Sequence, residues 1–487
     1  MSRKQDQATQ NLIRLYKQAR EKLYRLIVDT DSVGLKKYYN TILQQVNKEL
    51  KKLQKATDSF IATELPKIYR EELESIYTKF EKHGLYMSRS YMFAQLHRDA
   101  IYEAAREMQY QIADGLASVG RQIQRYLDTA RDEALRAAGM EEAGNMFASG
   151  RTPPDMRQAL IQKLQNEGFL TVQYGDQPGG YQVRLDAYAS MVARSTTREL
   201  TNTAQLNTAE QWGYDLVFVP EHYPTCELCA PLQGRVFSVS GKDKRFPYLY
   251  DLPGFRDGYR NFHPNCRHVI VVTAESMWTP EQREKYFADA GKPLNIDTRS
   301  EEERALYNEQ QRKNRQARQT LYQYERYKAV LGKDAPKSLA AFKRLKKSDG
   351  ENWKFMQLDY RRRSALLSDP SLALPCVDTA TAADEKFTGY LFNPDKHDGY
   401  SKGVAFTSRL GYNINNWEEL RSEILQQAKL YSATKQQTDE YGTRYEQRVI
   451  LYGKKGKPAN VIIGWTHKEG KTWMSTAFMK EVDGWKK

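Results

Sequence analysis

Three of the chain's four cysteines, Cys226, Cys229 and Cys266, fall together with His222, His263 and His268 in the stretch 222–273. The Cys-x-x-Cys spacing of Cys226 and Cys229 lets two thiolates reach one ion from a single tight turn. The run His263-Pro264-Asn265-Cys266-Arg267-His268 offers sulfur and imidazole ligands from a second turn. That donor set suits a closed tetrahedral zinc site, with Cys226, Cys229, Cys266 and either His263 or His268 as ligands. Two other readings stay open: reduced thiols beside a surface histidine turn, and a zinc-supported nuclease finger. The finger needs a catalytic histidine on a strand followed by a metal-binding helix, a pattern this stretch lacks.

The two turns lie far apart in sequence, so neighbouring elements must bring them together. Val236, Phe237 and Val239 read as a short strand after the Gln233-Gly234 turn, and Val269 to Val272 as a buried strand directly after the second turn. If these strands pair, the turns meet. Upstream, 149–154 reads as a loop and 156–166 as a short helix. Phe169 to Tyr174 and Tyr181 to Leu185 read as a hairpin across the Gly-rich segment 175–180. Asp186 is placed to cap a helix running to Trp212, on which Arg194 and Arg198 share a face. Downstream, Thr279-Pro280-Glu281-Gln282 reads as a helix start.

From Asn11 to about Ala138 apolar residues recur every three or four positions, as in Leu12, Ile13, Tyr16, Ala19 and Leu23. This predicts long helices, broken at 29–34 and begun or kinked at Pro66, that build a bundle core or present a partner-binding face. Residues 300–331 read as a highly charged helix, and 337–363 as a basic run able to meet nucleic-acid phosphates. Residues 370–384 read as a linker. From about Phe387 the pattern becomes mixed: a strand or short helix at 402–410, an amphipathic helix at 416–431, and strands at 444–452, 459–466 and 472–478. The fold expected is therefore multidomain: a mainly α N-terminal half with a small β and metal-knuckle region, then a compact α+β domain. The boundaries read are 1–145, 146–290, 291–384 and 385–487.

With 75 Lys+Arg against 61 Asp+Glu, a net charge of +14 and a pI near 9.2, the chain suits an acidic partner such as DNA, RNA or an acidic protein face. Four cysteines in 487 residues make no disulfide framework, which points to folding in a reducing cytoplasm. No apolar run long enough for a membrane anchor and no signal peptide is present.

The run Cys229-Ala230-Pro231-Leu232-Gln233-Gly234-Arg235-Val236-Phe237-Ser238, with Pro247-Tyr248-Leu249, Gly258 and Asn265-Cys266-Arg267-His268, resembles the phage minor capsid protein family, relatives of the Mu F-like head morphogenesis proteins. Residues 188–195 and 213–217 fit as well, and the resemblance covers roughly 1–330. It implies a protein made in the host cytoplasm and placed in the phage head, with the portal and other capsid proteins as partners. Many members lack the first Cys-x-x-Cys, so the metal rests on this chain's own residues.

Residues 385–480 resemble the small nucleases and toxins around barnase, EndoU, colicin tRNases and RelE, through Gly389-Tyr390-Leu391-Phe392-Asn393-Pro394, Lys402-Gly403, Leu410-Gly411-Tyr412, Tyr441-Gly442, Tyr445, Gly464-Trp465 and Thr476-Ala477. The resemblance implies metal-independent RNA cleavage through the 2′-hydroxyl, which needs a base, an acid and cations for the phosphate. His397 and His467 are candidates for the acid/base pair, Lys402 and Arg444 for holding phosphate, and Ser475 or Thr476 for a hydrogen bond to a phosphate oxygen. The function expected is a portal-associated minor capsid protein with a ribonuclease or toxin-like C-terminal domain, phage DNA or host RNA being further partners. The alternatives are a purely structural virion protein with an inactive tail domain and a zinc-dependent DNA endonuclease.

Overall fold

The computed structural model describes residues 3–28, 32–143, 170–174, 181–263 and 266–482. The loop and helix expected at 149–166 and the turn at 175–180 lie outside them. The chain forms two compact units, one of residues 1–27, 40–125 and 168–315, the other of 28–39, 126–167 and 316–487.

Three long helices, α1 (Arg3–Val28), α2 (Ser32–Lys82) and α3 (Gln95–Ala143), follow the apolar stripes, and residues 3–27, 40–82 and 95–125 of them belong to the first unit. The second helix resumes earlier than expected, at Ser32, and continues through Pro66 rather than starting there. Leu12, Tyr16, Val46, Phe60, Ile68 and Phe80 are buried with Met108, Ile112 and Val119 of α3, so these stripes are core. Burial of each such side chain is worth roughly 1.5–3 kcal/mol. Tyr16 and Thr57 hydroxyls, 2.8 Å apart, add a polar tie between α1 and α2. β1 (Thr171–Tyr174) and β2 (Tyr181–Arg184) pair antiparallel as a hairpin, Val172 opposite Val183.

The helix after β2, α4 (Leu185–Trp212), starts without the expected cap. Asp186 lies inside its first turn, and its carboxylate is taken by Arg184 at 3.0 Å and Arg20 at 3.6 Å. Two guanidinium groups outcompete backbone N–H donors for a carboxylate already within the helix. A run of polar side chains on α4 is buried, among them Thr197, Thr201, Asn202, Gln205, Asn207 and Thr208. The threonines donate back to carbonyls one turn earlier, as Thr201 does to Thr197 at 2.9 Å. The amides serve a sheet of three antiparallel strands in the order β4 (Val236–Ser238), β3 (Leu216–Phe218), β5 (Val271–Thr273). The outer edge of β5 would leave buried donors unpaired. Asn202 Oδ1 accepts from Ile270 N–H at 2.9 Å, Gln205 Oε1 from Val272 N–H at 2.8 Å, and Lys79 Nζ donates to Val272 O at 3.1 Å. The buried polar stripe of α4 thus replaces a missing fourth strand.

Glu199, also on α4, is held up to about pH 7 by burial and by the charge of Glu107. An acid whose folded pKa is raised binds its proton more tightly when folded, so stability falls as pH rises from about 4.5 to 7. Glu199→Gln should therefore stabilise the protein by about 1–3 kcal/mol at pH 8 and leave it unchanged below pH 4.5. Urea unfolding at the two pH values tests this, and an equal gain at both would refute it. α5 (Pro280–Ala290) opens on the expected signal, with a full capping box between Thr279 and Gln282.

In the second unit residues 316–331 of α6 (Glu301–Leu331), with α7 (Leu339–Ser348) and α8 (Glu351–Ser368), meet at Tyr327, Phe342, Trp353 and Tyr360, with the Tyr327 and Tyr360 rings stacked at 4.2 Å. α9 (His397–Arg409) and α10 (Trp417–Ala428) cover one face of an antiparallel meander of β6 (Ala433–Asp439), β7 (Gly442–Leu451), β8 (Ala459–Lys468) and β9 (Lys471–Met479). The core between them holds Phe387, Phe406, Leu420, Ile424, Val449, Val461 and Trp465. Residues 402–409 are helical, and the missed strand β6 is exposed along nearly its whole length, so it carries no apolar alternation. α9 lies so close to the turn Phe387–Leu391 that a Cβ at Gly403 would stand 1.8 Å from Leu391 O. The stretch expected as a linker is instead bonded to the sheet: Thr381 N–H donates to Thr472 O at 3.0 Å and Thr381 O accepts from Met474 N–H at 2.8 Å.

Behind the sheet, α8 carries a buried polar network. Asp359, fully buried, accepts from Arg363 at 2.7 and 3.0 Å, from Tyr431 at 2.5 Å and from Tyr452 at 2.8 Å. Arg363 also reaches Asp334 at 2.8 Å. Among the described residues no helix is long and apolar enough to cross a membrane.

Candidate metal centre

β3 and β4 are joined by the segment that carries Cys226 and Cys229, and the second turn runs directly into β5 on the other side of β3. Because β3 and β5 are antiparallel, with Phe218 opposite Val271, both turns leave the same end of the sheet. The first turn is closed by its backbone: Cys229 and Ala230 N–H donate to Cys226 O at 3.2 and 3.0 Å. Gly234, in the left-handed region at φ 76°, ends it, and Val219 exchanges hydrogen bonds with Arg235 and Gly234 at the base.

The donors converge. Cys226 Sγ lies 3.3 Å from His263 Nε2, Cys229 Sγ 3.5 Å from Cys266 Sγ, and Cys266 Sγ 3.6 Å from His268 Nδ1. Cys226, Cys229 and His263 form one set of donor atoms within 4.8 Å of one another, and Cys229, Cys266 and His268 another. Around a tetrahedral zinc with ~2.3 Å bonds to sulfur, sulfur–sulfur edges are about 3.8 Å and sulfur–nitrogen edges about 3.5 Å. The cysteines form no disulfide. A hydrogen bond from Cys229, helped by His263, brings the Cys226 thiol down to about 4. Cys266, its Sγ 3.5 Å from that of Cys229, is held below the ordinary thiol range by that neighbour and by His263 and His268, and Cys229, placed beside both other sulfurs, is pushed up. Thiolate is the ligand form of cysteine, and in largely buried surroundings such a charge would call for a cation.

Residues outside the motif brace it. Gln233 Oε1 accepts from His222 N–H at 3.1 Å and faces His268 Nε2 at 3.2 Å, fixing that ring. Arg299 donates to Thr225 O at 3.1 Å while paired with Asp297, and Thr298 Oγ1 donates to Ala230 O at 2.8 Å. Sequence spacing missed these partners because 297–299 looks like an ordinary polar loop. Gly254 matters too, since a Cβ there would stand 1.7 Å from Asn261 O, on the backbone that leads into His263. Gly254→Ala should cost about 3 kcal/mol or more by overpacking. Unchanged urea unfolding would disprove the close approach.

In the second unit the candidate RNA-directed residues are spread over α9 and the sheet. His397 opens α9 almost wholly exposed, its Nδ1 3.7 Å from Asp398. Lys402 Nζ lies over the Tyr390 and Phe478 rings at 5.5 and 5.7 Å. Arg444 on β7 is paired with Asp439 at 3.1 Å and stands opposite Thr466, whose hydroxyl lies 2.7 Å from that of Ser475. Thr476 packs opposite Gly464. His467 sits in strand β8, which runs past the expected end at 466, with its Nδ1 2.9 Å from Thr472 Oγ1. Thr472 gives its only hydroxyl proton to Pro375 O at 2.5 Å, so it accepts from His467 Nδ1–H and leaves Nε2 with the lone pair. Arg444, Thr466 and Ser475 are brought together, whereas no hydrogen bond or ion pair between described residues joins His397 to His467.

Comparison with known proteins now bears on this geometry. The model of a family described as phage minor capsid protein 2 matches residues 2–342, the larger part of the chain and all of the Cys/His centre. The chain belongs to that family. A relative described as a structural protein of Lactococcus phage LL-H is 26% identical over 110 residues, 22% of this chain and 29% of the relative. The chain thus spans less than a third of that relative's length. The minor capsid match ends in α7, and a second model, of a domain of unknown function, matches residues 373–480, which hold α9, α10 and the four-stranded sheet. No solved structure matches the chain.

Proposed function

We propose that this phage minor capsid protein is a portal-associated structural component of the head whose middle segment is clamped by one zinc ion. The ligands are Cys226, Cys229, Cys266 and His263, with His268 held by Gln233 as the outer partner of Cys266. The carrying observation is that antiparallel pairing of β3 and β5 delivers both turns to one end of the sheet with donor spacings of 3.3–3.6 Å. His263 is preferred because its ring bears on the sulfurs of both turns, Cys226 and Cys266. Zinc closed by four protein ligands would hold the fold and leave no open position for catalysis. Cross-linking mass spectrometry of purified virions tests the placement. Cross-links from this chain to the portal support it, and a chain missing from virions overturns it.

A second reading concerns residues 373–480: an RNA-directed domain, in which His467 Nε2 takes the 2′-hydroxyl proton and Arg444, beside Thr466 and Ser475, meets the phosphate. Its support is the fixed tautomer of His467. His397, almost wholly exposed beside Asp398 at the start of α9, and Lys402, over the Tyr390 and Phe478 rings, are not joined to this group and take no role in the scheme. Incubating the full chain with transfer, ribosomal and single-stranded RNA in chelator tests it: cleavage lost in His467→Ala supports the reading, and intact RNA rejects it. Metal-dependent cutting of DNA would favour the endonuclease alternative instead.

A further inference from the structure

We propose that the groove between α6 and α7 binds the phosphodiester backbone of duplex DNA. This goes beyond the RNA-directed reading and uses none of its residues. The groove is an open depression of about 640 Å³, lined by Gln316, Gln319, Thr320, Gln323 and Arg326 of α6 and Lys346 of α7. Gln316, Gln319, Gln323 and Arg326 are three or four residues apart, with Thr320 four after Gln316, and so form one face of the helix. Two of the six side chains are cations, four are neutral amide or hydroxyl groups able to donate, and none is a carboxylate. That is the inventory that holds phosphate oxygens. Lys346 Nζ is already steered into the groove by Gln323 Oε1 at 2.7 Å.

The surroundings reinforce the sign. Residues 316–347 contain nine Lys and Arg against Glu325 and Asp334. Asp334 is engaged by Arg363 at 2.8 Å. Arg318, Lys343, Arg344 and Lys347 are exposed. A positive field around a donor-lined groove complements a polyanion. The lining has no aromatic ring on which an unstacked base could rest, which favours a duplex backbone over a single strand.

Fluorescence anisotropy of the full chain with a duplex DNA of about 30 base pairs, over a salt series, tests the groove. Arg326→Gln with Lys346→Gln should weaken binding about 10-fold at ~0.1 M salt and lower the slope of log affinity against log salt by about 2. The charge-matched pair Lys51→Gln with Lys52→Gln, exposed on α2, should change affinity less than about 2-fold. Thermal melts verify that each variant is folded. Three results overturn the proposal: no binding of duplex DNA by the full chain, equal losses in the two variants, or preferential binding of single-stranded RNA unaffected by the groove variant.

Discussion

Cys266→Ser should strip the protein of zinc and lower its stability by several kcal/mol, the largest effect expected of any single substitution in the first unit. Apparent binding free energies of small structural zinc sites, ~10–16 kcal/mol, set the ceiling. Cys266 is 4% exposed and touches Cys229 and His268, so no water can replace its sulfur as a ligand without opening the second turn. Wild-type protein should carry one zinc per chain by elemental analysis. Cobalt replacement should give thiolate charge-transfer absorption. Because ligands must shed protons, chelator should remove the metal faster as pH falls. His263→Ala should lose most of the metal and His268→Ala less. Cys376→Ser is the control, since Cys376 is exposed and outside the cluster. Wild-type protein purified without stoichiometric metal, or a Cys266→Ser variant that melts with it, would sink the centre.

Much of this centre was legible in the sequence because donor chemistry is local: a Cys-x-x-Cys turn and a His/Cys turn announce themselves wherever they fall. Their meeting was expected from pairing of the strands at 236–239 and 269–272 with each other; these strands do not pair, and β3, which lies between them and is antiparallel to both, brings the two turns to one end of the sheet instead. The long helices were legible for the same reason, as the apolar period survives without tertiary help. What stayed hidden is tertiary. Nothing in the local sequence marks the polar side chains of α4 as buried, yet Asn202 and Gln205 are buried because a strand edge needs acceptors. β6 has no apolar face to betray it. Asp186 looked like a cap and is held by two arginines, one of them from α1. In the second unit, residue types alone put two histidines in one site, whereas their positions on α9 and β8 show no bond between them, and the partner that fixes His467 lies on β9.

Arg363→Met should destabilise the second unit by about 3–5 kcal/mol, because it leaves Asp359 charged and buried without its cation. The pair is formed at 2.7 and 3.0 Å, and the carboxylate's other contacts, Tyr431 and Tyr452, are neutral donors that cannot replace a guanidinium. Burial already raises the Asp359 carboxyl despite Arg363, and it also pushes the Tyr431 and Tyr452 hydroxyls up, so neither ring supplies a compensating charge. Removing the arginine raises the acid further. A raised acid contributes stability at low pH that is lost as pH rises through its folded pKa. The penalty of Arg363→Met should accordingly be small near pH 4 and full at pH 8. Adding Asp359→Leu should recover most of the loss and flatten its pH dependence, since apolar replacement of both partners removes the orphan charge rather than exposing it. Thermal unfolding of the full chain at the two pH values separates this from simple loss of packing, which would persist at pH 4 and would not be relieved by the second substitution. A pH-independent penalty would mean that α8 is held to the sheet by its apolar contacts and by Arg362, which bonds Asn460 Oδ1 at 2.7 Å, with the buried ion pair contributing nothing of its own.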